Sequence, residues 1–169
     1  MVSKTERTQV AGEARRYNHE ELQRSLGSDY RKRARDFFVE QGRITSDFEL
    51  VWADHNSPDY THMSSSANYL LWMKVNGGRD LIIVSAIPPN LATSSEHSHP
   101  PEVVEIFGCI KGEFDLHADG LVIRMREGSK EQEIMPGVKH RVKAGNDWAL
   151  IPIVIVNGGL YPPEQLHRR

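Results

Sequence analysis

The stretch HSHPPEVVE, residues 97–105, places two histidines and two glutamates close together in the chain. In a β-strand, residues i and i+2 project from the same face, so His97 and His99 can direct both imidazoles at one point. Glu105 follows His99 by an even number of positions and shares that face if the strand continues without a bulge. Two imidazoles and a carboxylate at one point are suitable ligands for a divalent transition metal. We therefore interpret the rest of the chain as the scaffold of this cluster.

The length and charge of the chain narrow its class. With 169 residues it fits one domain, or one domain with an appendage, and it can bury a core without disulfides. The 21 Lys and Arg nearly balance the 23 Asp and Glu, which argues against a nucleic-acid or anionic-membrane partner. The single cysteine, Cys109, excludes an internal disulfide. Because no apolar run reaches the length of a signal peptide or a membrane span, we expect a cytoplasmic protein.

Residues 1–43 are expected to form an arm and helices ahead of the rest of the chain. Residues 1–16 are charged and lack periodic apolar positions, which is typical of a mobile arm. Asn18 with Glu21 three positions later resembles a capping box that begins a short helix. Ser28 can cap a second, longer helix.

This second helix carries a basic face. We interpret that face as the solvated side of an amphipathic helix, and an anion-binding site is the alternative. The residues concerned are Arg31, Lys32, Arg33 and Arg35.

Residues 44–169 are interpreted as a β-barrel, because strand-like segments follow one another at short intervals. Turn residues separate these segments, and Asp119-Gly120 is a strong hairpin signal. An all-β fold, an antiparallel sandwich or barrel with an N-terminal helical extension, follows from this pattern. The main expected strands cover residues 48–52, 69–75, 80–85, 103–110, 113–117, 121–126 and 148–156.

A fourth candidate ligand, His140, follows a Pro-Gly turn, and the pieces together resemble the two motifs of the cupin superfamily. The first motif of that family is a His-x-His pair followed by a Glu and, seven positions later, a Gly; the second has a Gly three positions before a His. The matching residues are His97, His99, Glu105 and Gly112 within 97–112, and Gly137 and His140 within 134–140. The resemblance implies a small single-domain cupin, a double-stranded β-helix (jelly-roll barrel). It also implies that His97, His99, Glu105 and His140 bind one divalent transition metal ion per chain.

The sequence departs from the family pattern in the loop of the first motif. Five residues separate His99 from Glu105, where the family commonly has three or four. Glu102 is therefore a rival ligand, and at the rim of the site it is also a candidate acid or base. We favour Glu105 as the ligand because its spacing to Gly112 matches the family. A glycine that is usual before the first histidine is replaced by Leu91.

The resemblance implies a mononuclear metal-dependent enzyme that acts on a small polar organic molecule. Four protein ligands leave one or two positions for water, dioxygen or substrate, and we expect an Fe2+-dependent oxygenase of the dioxygenase kind. One alternative is a redox-neutral isomerase, lyase or cyclase that uses Zn2+, Ni2+ or Mn2+ as a Lewis acid. Another is a non-catalytic small-molecule-binding cupin. Imidazole and carboxylate ligands also admit Co2+ or Cu2+.

The sequence also leads to expectations about three further side chains and about the oligomeric state. His117, beside the hairpin turn, and His167 are expected to be exposed. Cys109 shares alternation parity with Glu105 and is expected to be a buried, inert thiol. Because the edges of an open sheet need covering, we expect a homodimer that pairs through residues 48–52 or through the preceding helices.

Overall fold

The computed structural model of the protein describes residues 17–53, 68–89 and 95–169. The predicted arm of residues 1–16 and Leu91 lie outside these residues. The helices are α1 (His19–Leu26), α2 (Tyr30–Glu40), a 3-10 turn (Gly158–Leu160) and α3 (Pro163–Leu166). The strands are β1 (Asn68–Val75), β2 (Asp80–Ile87), β3 (Val104–Phe107), β4 (Glu113–Ala118), β5 (Leu121–Arg126), β6 (Gln132–Ile134), β7 (His140–Ala144) and β8 (Ala149–Val156). Among the helices described, none combines the length and apolar character that crossing a membrane requires.

The strands form two antiparallel sheets. One sheet has the order β1-β2-β8-β3-β6 and the other the order β5-β4-β7. The pairs β1–β2 and β4–β5 are consecutive in sequence, but the other neighbours within each sheet are distant, because the chain crosses repeatedly from one sheet to the other. The two sheets share one apolar interior, in which Phe107 of β3 lies 6.4 Å from Phe114 of β4 between ring centroids. The all-β barrel with a helical extension is confirmed.

The larger sheet is buried on both faces. In β2, Leu81 and Ile83 pack into the barrel interior, whereas the alternate residues Ile82 and Val84 join the cluster that the helices cover. A strand covered on both sides has no polar face, which explains its continuous apolar run. β8 is buried over most of its length in the same way.

The N-terminal helices supply the cover for the outer face. Leu26, Tyr30 and Phe38 are at most 1% exposed and belong to the same cluster as Val84 and Val154 of the sheet. Burial of each such side chain contributes roughly 1.5–3 kcal/mol. The helical extension is therefore part of the hydrophobic core on the outer face of the larger sheet.

The predicted helix starts have different outcomes. The capping box of α1 is confirmed, since Asn18 and Glu21 each accept the other's backbone N–H at 2.9 Å. The prediction that Ser28 caps α2 was wrong, because Asp29 precedes the helix and makes no side-chain cap. Ser28 instead lies within a turn closed by the Tyr30 N–H and the Gly27 carbonyl at 3.3 Å.

The basic face of α2 is engaged by the protein itself. Arg33 donates to the Ile110 carbonyl and to the Glu127 carboxylate, each at 2.5 Å. Arg35 donates to the Ser46 carbonyl at 2.6 Å. These contacts tie the helix to the loops around it, so the face offers no set of free cations for an anion. The remaining contacts are Lys32 with Asp36 and Arg31 over the ring of Trp52.

The predicted strand over residues 48–52 is wrong. Arg35 also donates to the Phe48 carbonyl, and the Phe48 N–H bonds the Thr45 carbonyl within a turn. Both backbone groups of Phe48 are therefore unavailable to a neighbouring strand, and within the segment only Trp52 makes an isolated bridge, to β1. The segment therefore runs along the edge of β1 without joining the sheet as a strand.

Two turns of the barrel agree with the sequence predictions. Asp119 and Gly120 both have positive φ, 50° and 77°, as a two-residue hairpin between β4 and β5 requires. Gly112 has φ +74°, and a Cβ on it would lie 1.8 Å from the Trp148 carbonyl oxygen. This glycine is therefore required both by its backbone conformation and by the close approach of the chain before β8.

Gly112→Ala should lower the free energy of unfolding by about 2–5 kcal/mol, from the left-handed conformation and the backbone clash together. Gly128→Ala is the matched control, because Gly128 has φ +79° but no atom within 4 Å of the added Cβ. We expect it to cost only about 1–2 kcal/mol. Urea denaturation of both variants measures the difference, and equal losses would contradict the role of the close approach.

Candidate metal centre

Backbone hydrogen bonds bring the two motifs together. His97 and His140 form an isolated antiparallel bridge, with N–H to carbonyl distances of 3.0 and 2.8 Å. The Gly137 N–H donates to the His99 carbonyl at 3.1 Å. β7 begins at His140, as the Pro-Gly turn predicted. Residues 97–99 therefore run beside the start of β7.

The long loop of the first motif is accommodated in a tight turn. The Val103 N–H donates to the Pro100 carbonyl at 3.2 Å, and Glu102 adopts φ +70° within the turn. Its side chain is exposed, while Val103 and Glu105 after it are buried. The turn takes up the extra residue, and Glu105 still enters the barrel.

Four donor atoms converge at this point, and we call His97, His99, Glu105 and His140 the donor cluster. One ligand atom from each residue lies within 4.8 Å of all the others. The Glu105 Oε2 lies 2.5 Å from the Nε2 of His99, 2.6 Å from that of His140 and 3.9 Å from that of His97. The side chains of His99 and His140 are fully buried, and His97 is the most accessible donor at 17% exposure.

The three imidazoles are held in one tautomer. In each of them the Nδ1 lies within hydrogen-bond distance of a backbone carbonyl, which can only accept, so Nδ1 carries the proton. In its neutral form each ring then presents an unprotonated Nε2 to the cluster, as a metal ligand does, whereas His99 and His140 can donate to Glu105 only when Nε2 is protonated as well. The bonds are His97 to Ser95 at 3.1 Å, His99 to Leu166 at 2.8 Å and His140 to Val138 at 2.9 Å.

The electrostatics of the cluster favour a positive charge among the donors. Burial raises the pKa of Glu105, but hydrogen bonds from His140 and His99 outweigh it and hold that pKa below its usual range. Burial lowers the pKa of His99, but the hydrogen bond and charge of Glu105 outweigh it, so this pKa is raised. Burial lowers the pKa of His97. The carboxylate is therefore ionised and favours positive charge among the donors.

The donor cluster fits a divalent metal ion. The Nε2 of His97 is buried and has no hydrogen-bond partner among the described residues, so it presents an unused lone pair to the cluster. Ligands at about 2.1 Å from one ion lie roughly 3–4.2 Å from each other, so small side-chain rotations suffice to close the group. Three imidazoles and one carboxylate suit iron, manganese, nickel, cobalt, copper or zinc.

His167 is a site neighbour that the sequence did not reveal. Its side chain is exposed, as expected, but its ring centroid lies 4.7 Å from that of His97 and 5.2 Å from that of His99. Although the residue is exposed overall, partial burial of its ring and the nearby His97 lower the pKa of His167 to about 4. No motif connects residue 167 with the histidine pair, so only the fold could place it here.

The remaining candidates lie apart from the donor cluster. Glu102 is not among the converging groups, and its carbonyl accepts the Asn157 side-chain N–H at 2.8 Å. His117 was expected to be exposed, but it is half-buried, and within the part of the chain that the structure describes its Nε2 has no hydrogen-bond partner. Tyr69 of β1 packs on the barrel interior, and burial and the charge of Glu105 raise its pKa.

Cys109 is buried in the barrel cluster, as predicted, and its thiol donates to the Gly112 carbonyl at 3.3 Å. Burial raises its pKa to about 12.

Because the thiolate is the reactive form, we expect iodoacetamide at pH 8 to modify Cys109 far more slowly in the folded protein than in urea. Mass spectrometry of timed samples measures both rates. Similar rates in the two states would show that the thiol is accessible and ionisable.

Glu105→Gln should weaken Co2+ binding by at least roughly 100-fold, because it replaces the only carboxylate among the donors with a neutral amide. Glu102→Gln removes the neighbouring carboxylate from the exposed turn and should leave the affinity unchanged. Competition titration against a chelator of known affinity measures both variants, with thermal unfolding of the metal-free proteins as the check on folding. A larger loss in Glu102→Gln would make Glu102 the ligand.

Comparison with known proteins supports the fold. No protein-family model matches the chain, and no curated protein sequence matches it. A Cupin 2 conserved barrel domain protein from Salinispora arenicola is 18% identical with a TM-score of 0.51, over 66% of this chain and 90% of that one. An oxalate decarboxylase variant from Bacillus subtilis is 15% identical with a TM-score of 0.51, over 61% of this chain and 28% of that one. A cupin protein from Bacteroides fragilis is 22% identical with a TM-score of 0.42, over 49% of this chain and 70% of that one. The fold of the chain is therefore similar to the double-stranded β-helix of the cupin proteins.

Proposed function

We propose that the protein is a mononuclear metal-dependent enzyme that acts on a small polar organic molecule, with Fe2+-dependent oxygenation as the favoured reaction. The observation that carries the proposal is the convergence of three Nε2 atoms and one carboxylate oxygen within 4.8 Å. No thiolate takes part, and the one cysteine is directed elsewhere by its bonds to the Lys111 and Gly112 carbonyls. Mixed imidazole and carboxylate ligation is suited to catalytic centres, whereas closed structural zinc sites are mostly built with thiolates.

The protein supplies a defined approach to the centre. His99, Glu105 and His140 are almost completely buried, so a substrate reaches the donor cluster from the side of His97. When bound, a divalent metal with open positions supplies Lewis acidity and, in the case of iron, one-electron chemistry with dioxygen. Four protein donors leave room for this on an ion that takes five or six ligands.

Apolar side chains of the barrel interior lie on one side of the donor cluster. The ring of Phe107 lies 6.0 Å from that of His140, and Val103, Ile83 and Ile153 belong to the same interior cluster. Such walls exclude water from the reacting groups and accommodate dioxygen, which is itself apolar. This lining supports oxygen chemistry over a reaction that relies on transfer of protons to and from solvent.

Two other functions are outcomes of the same experiment. The fold does not determine the reaction. The oxalate decarboxylase of Bacillus subtilis shows that an enzyme can have a similar fold. A redox-neutral enzyme would use the same four donors for a Lewis acid. A binding protein would hold the ligand without turnover. The homodimer and the cytoplasmic location remain predictions from the sequence.

Metal analysis of the protein purified without added metal should give close to one transition metal ion per chain, and Fe2+ should restore oxygen uptake after its removal. His140→Ala should lose the ion, because it removes one of the four donors, whereas Glu102→Gln should retain it. An oxygen electrode with a panel of small carboxylic acids and phenols measures turnover.

Turnover at an undiminished rate without oxygen would exclude the oxygenase and favour the redox-neutral enzyme. A folded protein that binds panel compounds, with or without metal, but turns none over would favour the binding protein. A folded protein that takes up no metal at all would reject the proposed metal centre.

A further inference from the structure

The segment Leu166–Arg168 runs beside the histidine pair of the first motif. Ser98 and Arg168 form an isolated antiparallel bridge, with the Ser98 N–H donating to the Arg168 carbonyl at 2.7 Å. In return, the Arg168 N–H donates to the Ser98 carbonyl at 2.8 Å. Residues 97–99 are thus held on one side by β7 and on the other by this segment.

The segment contacts the donor cluster through the Leu166 carbonyl. This oxygen accepts the Nδ1–H of His99 at 2.8 Å. The Leu166 side chain is 0% exposed and packs in the barrel interior, so its own burial fixes the position of the carbonyl. A ligand histidine depends on such a bond, because the bond sets both the tautomer and the orientation of the ring.

The same segment places an imidazole over the accessible side of the cluster. The ring centroids of His97, His99 and His140 lie 4.3–5.1 Å from one another. The ring centroid of His167 lies at similar distances from those of His97 and His99, 4.7 and 5.2 Å. Since His97 is the most accessible donor, the ring of His167 lies beside the route by which solvent reaches the site.

We propose that Leu166–Arg168 is a positioning strap of the metal centre, in which the Leu166 carbonyl orients His99 and the His167 ring shields the accessible side of the donors. The strap acts through the four donors. Its assigned role rests on the proposed metal-dependent function. None of its residues is a member of the donor cluster.

Arg168→Pro tests the strap, because proline removes the N–H that donates to the Ser98 carbonyl. His167 before it is extended, with φ −108° and ψ 115°, a conformation that a following proline permits. Arg169→Pro is the matched control, since it makes the same substitution one residue beyond the bridge. We expect Arg168→Pro to weaken Co2+ binding roughly 10–100-fold, the loss typical of removing support from a ligand histidine, and Arg169→Pro to leave it unchanged.

A second readout separates positioning from loss of structure. In the Zn2+-loaded protein with 15N-labelled histidine, NMR should show His99 protonated at Nδ1 in the unsubstituted chain and in Arg169→Pro. In Arg168→Pro, we expect the proton signal of that Nδ1–H to be lost or shifted while the methyl signals of the barrel core stay in place.

His167→Ala addresses the shielding. The Co2+-loaded variant should lose its metal to EDTA roughly tenfold faster, whereas His117→Ala, which changes a histidine outside the cluster, should not differ from the unsubstituted protein.

If the unsubstituted protein binds Co2+ and neither Arg168→Pro nor His167→Ala changes binding, release or the His99 signal, the strap is rejected and the metal centre stands. If the unsubstituted protein binds neither Co2+ nor Zn2+, the proposed function itself fails.

Discussion

The interior of this barrel is constrained by the nitrogen and carboxylate lone pairs of the donor cluster, which face one another. Three Nδ1–H groups donate to backbone carbonyls, so three Nε2 atoms and one carboxylate point at a common volume. Acceptors alone repel at the 2.5 and 2.6 Å that separate Glu105 from His99 and His140, so protons or a metal cation must lie among them. The lowered pKa of Glu105 and the raised pKa of His99 express this same demand for positive charge.

The scaffold meets this demand from several separate parts of the chain. The bridge between His97 and His140 sets the two motifs side by side, and the turn at Glu102 returns the chain so that Glu105 enters the interior. The larger sheet can bury both faces only because α1 and α2 cover its outer one. The helical extension thereby contributes to the rigidity on which four converging side chains depend.

Much of the fold and most of the donor cluster followed from local pattern. The strand that the even step from His99 to Glu105 required is interrupted by the turn at Glu102. The spacing of His97 and His99 and the Pro-Gly turn before His140, by contrast, reflect backbone geometry that short-range sequence determines. The hairpin at Asp119-Gly120 and the capping box at Asn18 are local in the same sense. The prediction over residues 48–52 was wrong because Arg35, on a helix, takes a carbonyl that a strand would have used. Such competition depends on contacts that are distant in sequence.

The sequence by itself determined the barrel and the chemical identity of the donors, because strand periodicity and turn residues act over a few positions. The spacing to Gly112 favoured Glu105 over Glu102. The tertiary structure alone decided how that carboxylate enters the site, since the left-handed turn at Glu102 exposes one carboxylate and buries the other. It also decided the surroundings of His99 and His97. The Leu166 carbonyl and the His167 ring reach them only because Leu166 is buried in the interior, and burial of that kind is settled by packing across the whole fold.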